Sequence, residues 1–287
     1  MNSSPLGQET ALTARWAALV DECIDSKAAD AWKRNKTGEL AARDLSSLAT
    51  LRSWIYLDAH IRTNEAAAGS DRDSADTIGA LTSYASMTWP SNGWHVRSRR
   101  GASTLVEKHG VLLEVEDAGS DSDLGVMVAL PRLRPNALPG WAAILSSSGP
   151  PSDSSVRAYL HLATMDAIAP VIDRLDVMGV GWSFKVNTRV EGMRRPDSAV
   201  VYFGREDAAN VIGALTVLAR GLGSLLGGTV PGFSRRLADG LAIAASDRAS
   251  VTGSFGAAVA HAAALALIED RSVSLAVTPF AEQVASL

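Results

Sequence analysis

The sequence predicts an α+β protein, with a helical N-terminal part followed by a mainly antiparallel sheet flanked by helices. Three patterns predict it. Apolar residues recur at helical spacing near the N-terminus. Strict alternation of apolar and polar residues sets in at Trp94. Strand-like runs then interleave with helical stripes through the centre of the chain. The division is residues 1–88, helical, and 89–287, α+β, two parts expected to pack together as one continuous globular unit.

In the first part Leu12, Trp16, Leu19 and Cys23 fall on one helix face, and Leu45, Leu48, Leu51 and Ile55 repeat the pattern. Residues 69–74 form a polar break with turn chemistry, after which Ile78, Leu81 and Tyr84 predict a further short helix. The run from Trp89 to Gly93 is expected to close this part, because the residue before Pro90 avoids the helical basin. Short strands follow at 94–99, 103–108, 111–116 and 125–130, read as an antiparallel meander. His109 before Gly110 marks a hairpin turn. The stretch Pro135 to Pro151 reads as loop, with 146–153 its most mobile tip. Strands are predicted at 156–163, 181–188 and 197–204. A helix carrying Ile168, Val171, Ile172 and Leu175 lies between the first two. Val211, Ile212, Leu215, Leu218 and Leu222 mark another, and an alanine-rich helix runs from Phe255 to Ile268.

Composition narrows the functional classes. The chain has 287 residues, 47% of them hydrophobic, so it can bury a core without disulfides or metal. Lys plus Arg number 27 against 31 Asp plus Glu, a net charge of −4 that leaves no overall nucleic-acid footprint. Cys23 is the only cysteine, which excludes an intramolecular disulfide and fits a reducing cytoplasm. No apolar run approaches the roughly 20 residues of a membrane span, and the N-terminus lacks the basic-then-apolar order of a signal peptide. The expected setting is cytoplasmic, with neither membrane nor nucleic acid as partner.

Several standard motifs are missing: no GxxxxGK[ST], no HExxH, no GxSxG. Gly221 to Gly227 has wrong glycine spacing for a dinucleotide loop and reads as a helix end and turn. The histidines, at 60, 95, 109, 161 and 261, show no paired spacing for a metal, so no metal site is expected. His60 and His261 read as packing or surface residues.

Strand parity is more informative. Side chains two apart share a face, which groups Tyr159 with His161, and Ser183 with Lys185 and Asn187. Tyr202 lies opposite Val201 and Phe203. If the three strands are neighbours, Tyr159, His161, Lys185, Asn187 and Tyr202 line one surface, with Arg189, Arg194 and Arg195 in the adjoining loop. That set suits an anionic ligand. Asp197 reads as an arginine partner rather than a base. The bland alternative is an ordinary solvated sheet face.

Tyr159 to Leu162, Phe184 to Val186, Arg194 to Phe203 and the run Ser254-Phe255-Gly256 together resemble the HopA-type effector-like family. Segments beginning at Gly93 and Lys108 are also similar, and the resemblance covers roughly Trp89 to Ile268. The family includes type III secretion effectors. It also includes proteins of class V lanthipeptide and thioamitide pathways, a branch of ribosomal peptide (RiPP) biosynthesis, which the alanine-rich sequence resembles more. There a kinase-like partner phosphorylates Ser or Thr of a precursor peptide, and the HopA-like protein is implicated as the lyase in the dehydration. The implied reaction eliminates phosphate to give dehydroalanine or dehydrobutyrine and needs no cofactor. Set against it, Lys185 is the candidate base, His161 the candidate acid, and Tyr202 a hydrogen-bond donor at the same centre. Arg189, Arg194 and Arg195 are the candidate phosphate clamps, and Tyr159 and Asn187 candidate substrate contacts. One departure is Val259, where the resemblance leads one to expect an arginine. The alternatives are a non-catalytic phosphopeptide-binding or kinase-docking module, or an effector-like protein that binds a host protein.

Overall fold

The computed structural model describes residues 5–37, 47–61, 79–116, 118, 125–153, 155–246 and 254–287. Helix α1 (Pro5–Thr37) buries Leu12, Trp16 and Cys23 of the expected stripe; Leu19 is only partly buried, and its neighbour Val20 is fully enclosed instead. Helix α2 (Leu48–Trp54) runs directly into a π-helical stretch, Ile55–Ile61. The expectations placed on Leu45, on 69–74 and on Ile78 fall outside the described residues.

Four strands, β1 (Thr88–Arg100), β2 (Ser103–Lys108), β3 (Val111–Val115) and β4 (Val126–Pro131), form a sheet in the order β3-β2-β1-β4. The β2–β3 turn has His109 at φ 52° and Gly110 at φ 80°, the paired positive values of a tight hairpin. Trp89 to Gly93 does not close the helical part as expected; it opens β1. Pro90 is accommodated because this end of β1 pairs only with β4, and β2 joins from His95 onward.

The larger sheet holds β5 (Leu133–Leu138), β6 (Trp141–Leu145), β7 (Val156–Leu160), β8 (Trp182–Asn187), β9 (Ala199–Phe203), β10 (Arg235–Ala238) and β11 (Leu241–Ala245). Its order is β10-β11-β7-β9-β8-β6-β5, with every pair antiparallel. The three predicted central strands are neighbours, β9 lying between the other two.

The loop reading of Pro135 to Pro151 is corrected: it contains most of β5 and all of β6. Pro135 is tolerated because β5 is an outer strand, where a missing N–H breaks no ladder. The following serine-rich turn is tied down. Ser146 Oγ donates to the Val180 carbonyl at 2.8 Å, and the Gly149 N–H donates to the Ser146 carbonyl at 2.9 Å.

Helices α3 (Ile168–Asp176), α4 (Val190–Met193), α5 (Ala208–Leu222), α6 (Phe255–Ile268) and α7 (Val273–Ala285) complete the order. One face of the large sheet is apolar across its central strands. There Ile144, Leu160, Phe184, Val201 and Ile243 pack with Val171, Ile172 and Leu175 of α3 and Val211 and Leu215 of α5. Although α5 is apolar and, with the turn after it, long enough to cross a membrane, its Ala208, Val211, Leu215 and Ala219 are buried in this core. The opposite face meets α1, the π-helical stretch, α6 and α7. Tyr159, Val200 and Ala244 pack there with Trp16, Ile55, Phe233, Phe255, Val259 and Val277. Buried alanines at 260, 263, 264 and 266 in α6 let neighbouring backbones come close.

Candidate functional site

Register places the polar residues in rows. Tyr159, Val200 and Lys185 face one another across β7, β9 and β8, and Arg157, Tyr202 and Ser183 form the next row. Paired residues share a face, so Arg157, Tyr159, Lys185 and Tyr202 all point toward the helical layer. That layer leaves a cavity of about 180 Å³ above them. Its walls are Tyr56 and His60 of the π-helical stretch, Trp141 of β6, the Arg195 to Asp197 loop, and Ser254.

Local chemistry explains how the walls are held. Ser254 is the N-cap of α6, its Oγ accepting from the Ala257 N–H at 3.2 Å. Phe255 sinks into the core, edge-on to Trp16 and Phe280. A Cβ on Gly256 would overlap the His60 ring, so glycine there sets how closely α6 approaches the π-helical stretch. The run Ser254-Phe255-Gly256 thus caps, anchors and makes room within one turn.

The cavity is cationic. Arg195 forks onto Asp197, Nε to Oδ1 at 2.7 Å and Nη2 to Oδ2 at 2.9 Å, and Nη2 also donates to the Tyr56 hydroxyl at 3.4 Å. Burial works against the Arg195 charge, but the Asp197 carboxylate more than offsets it and holds the guanidinium above its ordinary value. Lys185 Nζ lies 4.2 Å from the Trp141 ring centroid and 5.9 Å from that of Tyr202. Arg157 Nη2 donates to Ser246 Oγ at 2.9 Å, and its guanidinium sits 5.6 Å from the Tyr202 ring centroid. Neither Lys185 nor Arg157 has a carboxylate partner among the described residues, so two positive charges are left over. Among the described residues, the Nε of Arg157 and the hydroxyl of Tyr159 are buried without a hydrogen-bond partner. Buried donors of this kind are costly unless something accepts from them.

Burial keeps Tyr159, Tyr56 and His60 neutral. Burial pushes the Tyr159 phenol up, and burial together with Asp197 raises that of Tyr56, so both remain hydroxyl donors. Burial lowers His60 to about 4. Its Nδ1 accepts from the Phe233 N–H at 3.3 Å, which assigns the proton to Nε2. Among the described residues no group of three His, Cys, Asp or Glu is placed to hold a metal ion.

Of the residues singled out in the sequence, Lys185, Tyr202, Tyr159 and Arg195 line this cavity, with Asp197 paired to Arg195. His161, Asn187, Arg189 and Arg194 do not line it. The His161 ring is held outside by Thr229, Oγ1 to Nδ1 at 2.8 Å, and burial lowers its pKa. Asn187 Oδ1 accepts from the Arg189 N–H at 2.9 Å and shapes the turn into α4. Arg189 is exposed and lies over Gly140. Val259 is fully buried in the helical core, away from the cavity. The sequence reading passed over Arg157, although it shares the parity of Tyr159. His60, expected as a packing or surface residue, is buried at the cavity wall. Tyr56 and Trp141 carried no local signal.

Fold and cavity define the class: an α+β protein whose polar sheet face is roofed by helices around a cationic site. Residues 133–285 match the model of the HopA1 effector protein family, more than half of the chain, and the protein belongs to that family. Two solved effector proteins share the fold. One is from Pseudomonas syringae pv. syringae strain 61 (14% identity, 97% of each chain, TM-score 0.53). The other is from Pseudomonas syringae pv. tomato strain DC3000 (12% identity, 98% of each chain, TM-score 0.54). No curated protein matches the chain.

Proposed function

We propose that the cavity takes a phosphorylated Ser or Thr side chain of a ribosomal precursor peptide and eliminates its phosphate, a kinase-like partner having installed it. The observation that carries this reading is the convergence of Arg157, Lys185 and Arg195 with the hydroxyls of Tyr56, Tyr159 and Tyr202 around one carboxylate that is already paired. Such a site favours a compact dianion.

The residues divide the chemistry as follows. Arg157 and Arg195 hold the phosphate, with Tyr159 and Tyr56 donating to its oxygens. Lys185 is the base that removes the α-proton. The electron pair forms the Cα–Cβ double bond, the Cβ–O bond breaks, and phosphate leaves. Tyr202 is assigned the proton for the departing oxygen, since His161 is engaged by Thr229 outside the cavity. The product is dehydroalanine from Ser or dehydrobutyrine from Thr.

Family membership favours one second reading. Because the family is one of effectors, the same cavity would dock a phosphorylated segment of another protein without chemistry. Mass spectrometry of a pre-phosphorylated peptide incubated with the purified protein separates the two. Lys185→Ala and Lys185→Arg should both still bind the phosphopeptide and form no dehydroamino acid, because a guanidinium stays protonated. Elimination at the wild-type rate by both variants would remove Lys185 as the base. A wild-type protein silent even with its kinase partner would leave the docking reading.

A further inference from the structure

The small sheet carries a second concavity. Strands β3 and β4 are its two outer strands, yet both line one groove of about 640 Å³. Its floor is apolar, with Trp94, Leu113, Val115, Val128 and Leu130. Among the described residues strand β3 pairs only with β2 and no strand lies on its outer side, and Val111 and Leu112 at its start are 58% and 60% exposed. The rim is acidic: Glu114 and Glu116 are both exposed, Glu114 accepting from the Ser103 hydroxyl.

The groove also reaches Arg134 of β5. Arg134 pairs with Ala143 of β6, and Ala143 pairs with Lys185 of β8. Arg134 and Lys185 therefore share a sheet face two strand spacings apart, about 10 Å. Only the methyl group of Ala143 stands between them in that row. An extended chain covers such a distance in about three residues.

We propose that this groove holds the segment of the phosphopeptide lying about three residues from the phosphorylated side chain, laid as an extended strand along β3. The proposal rests on the phosphopeptide reading above and adds a substrate class to it. The cavity end is cationic through Lys185 and Arg157; the groove rim is anionic through Glu114 and Glu116. The peptide that fits both ends carries phosphate at one and Lys or Arg alternating with Val, Leu or Ile at the other. Alternation puts the apolar side chains on the floor and the basic ones against the rim.

Fluorescence anisotropy with synthetic peptides tests it. The core probe is Ala-Ala-phosphoserine-Ala-Ala. Two longer probes add Lys-Val-Lys-Val-Lys-Val, starting three residues before or after the phosphoserine, and all three are also made unphosphorylated. One of the two extensions should bind wild-type protein at least tenfold more tightly than the core. The double variant Glu114→Lys, Glu116→Lys, both exposed positions, should erase that gain and leave core binding within twofold. Leu113→Asp should do the same. The proposal is overturned if neither extension tightens binding, or if the gain survives both variants. Failure of the phosphopeptide reading looks different: the phosphorylated and unphosphorylated cores bind equally while the extension still tightens binding.

Discussion

Phe184 and Lys185 are adjacent in one strand and meet opposite worlds. Phe184 points into the apolar layer under α3 and α5 and is fully buried. Lys185 points toward the helices contributed by the two ends of the chain and reaches a cavity. Each face of the large sheet is covered, and the covering over Lys185 leaves a cavity. The difference shows that a polar sheet face need not be a solvated one. Here it is roofed by helices, and its charges gather where the roof is incomplete.

The largest expected effects set those two faces against each other. Phe184→Ala should destabilise the fold by about 3–5 kcal/mol, from lost burial plus the space left behind. Lys185→Ala should cost less than about 1 kcal/mol, as for a surface substitution, while abolishing elimination. Chemical denaturation of both variants, read beside phosphopeptide turnover, checks the contrast. A Lys185→Ala protein as unstable as Phe184→Ala would place the lysine in the core rather than at a site.

The next effect is one of pH and belongs to the helical roof. His60 titrates near 6.5 when unfolded and at about 4 in the folded protein, chiefly through burial. Between those values the unfolded chain binds the extra proton. Stability should therefore fall as pH drops from about 6.5 to about 4, by about 3 kcal/mol from this group. Denaturation midpoints across that range should show the slope. His60→Asn should flatten it, even if the variant is less stable throughout. A slope unchanged in His60→Asn would assign it to other groups, such as His161, whose lowered pKa acts in the same direction.

Gly256→Val should cost about 1–3 kcal/mol, because the new side chain meets the His60 ring. It should also weaken phosphopeptide binding by moving Tyr56 and His60. Gly213→Ala, in α5 with open space around it, is expected to stabilise slightly. The smallest effect is at Arg189, exposed and outside the cavity. Arg189→Ala should change stability by a few tenths of a kcal/mol at most and leave phosphopeptide affinity within twofold.

Much of the sheet was legible because alternation and helical stripes are local signals. The parity of Tyr159, Lys185 and Tyr202 gave the right face, and Asp197 pairs an arginine as read. Applied one step earlier, the same parity finds Arg157, which sits two residues before Tyr159 in β7. Other parts of the site have no such signal. Tyr56 and His60 come from a helical segment about a hundred residues away in sequence, joined to the sheet only by tertiary packing. Trp141 was hidden because prolines, glycines and serines around it gave the composition of a loop, and composition does not reveal that β5 is an outer strand tolerant of Pro135. His161 has the expected parity, but β7 ends at Leu160, and the ring is drawn to Thr229 instead. Position 259, where an arginine was expected, is a core position of α6.

The most direct test is calorimetric binding of one Ser-containing peptide, phosphorylated and unphosphorylated, to wild-type protein and to Arg157→Gln. A charge-assisted contact to phosphate is worth roughly 1.5–3 kcal/mol, or about ten- to a hundredfold in affinity. Wild type should prefer the phosphorylated form by at least that factor, and Arg157→Gln should lose most of the preference while remaining folded. Equal affinity for both forms, or a preference untouched by Arg157→Gln, would contradict a phosphate site in the cavity.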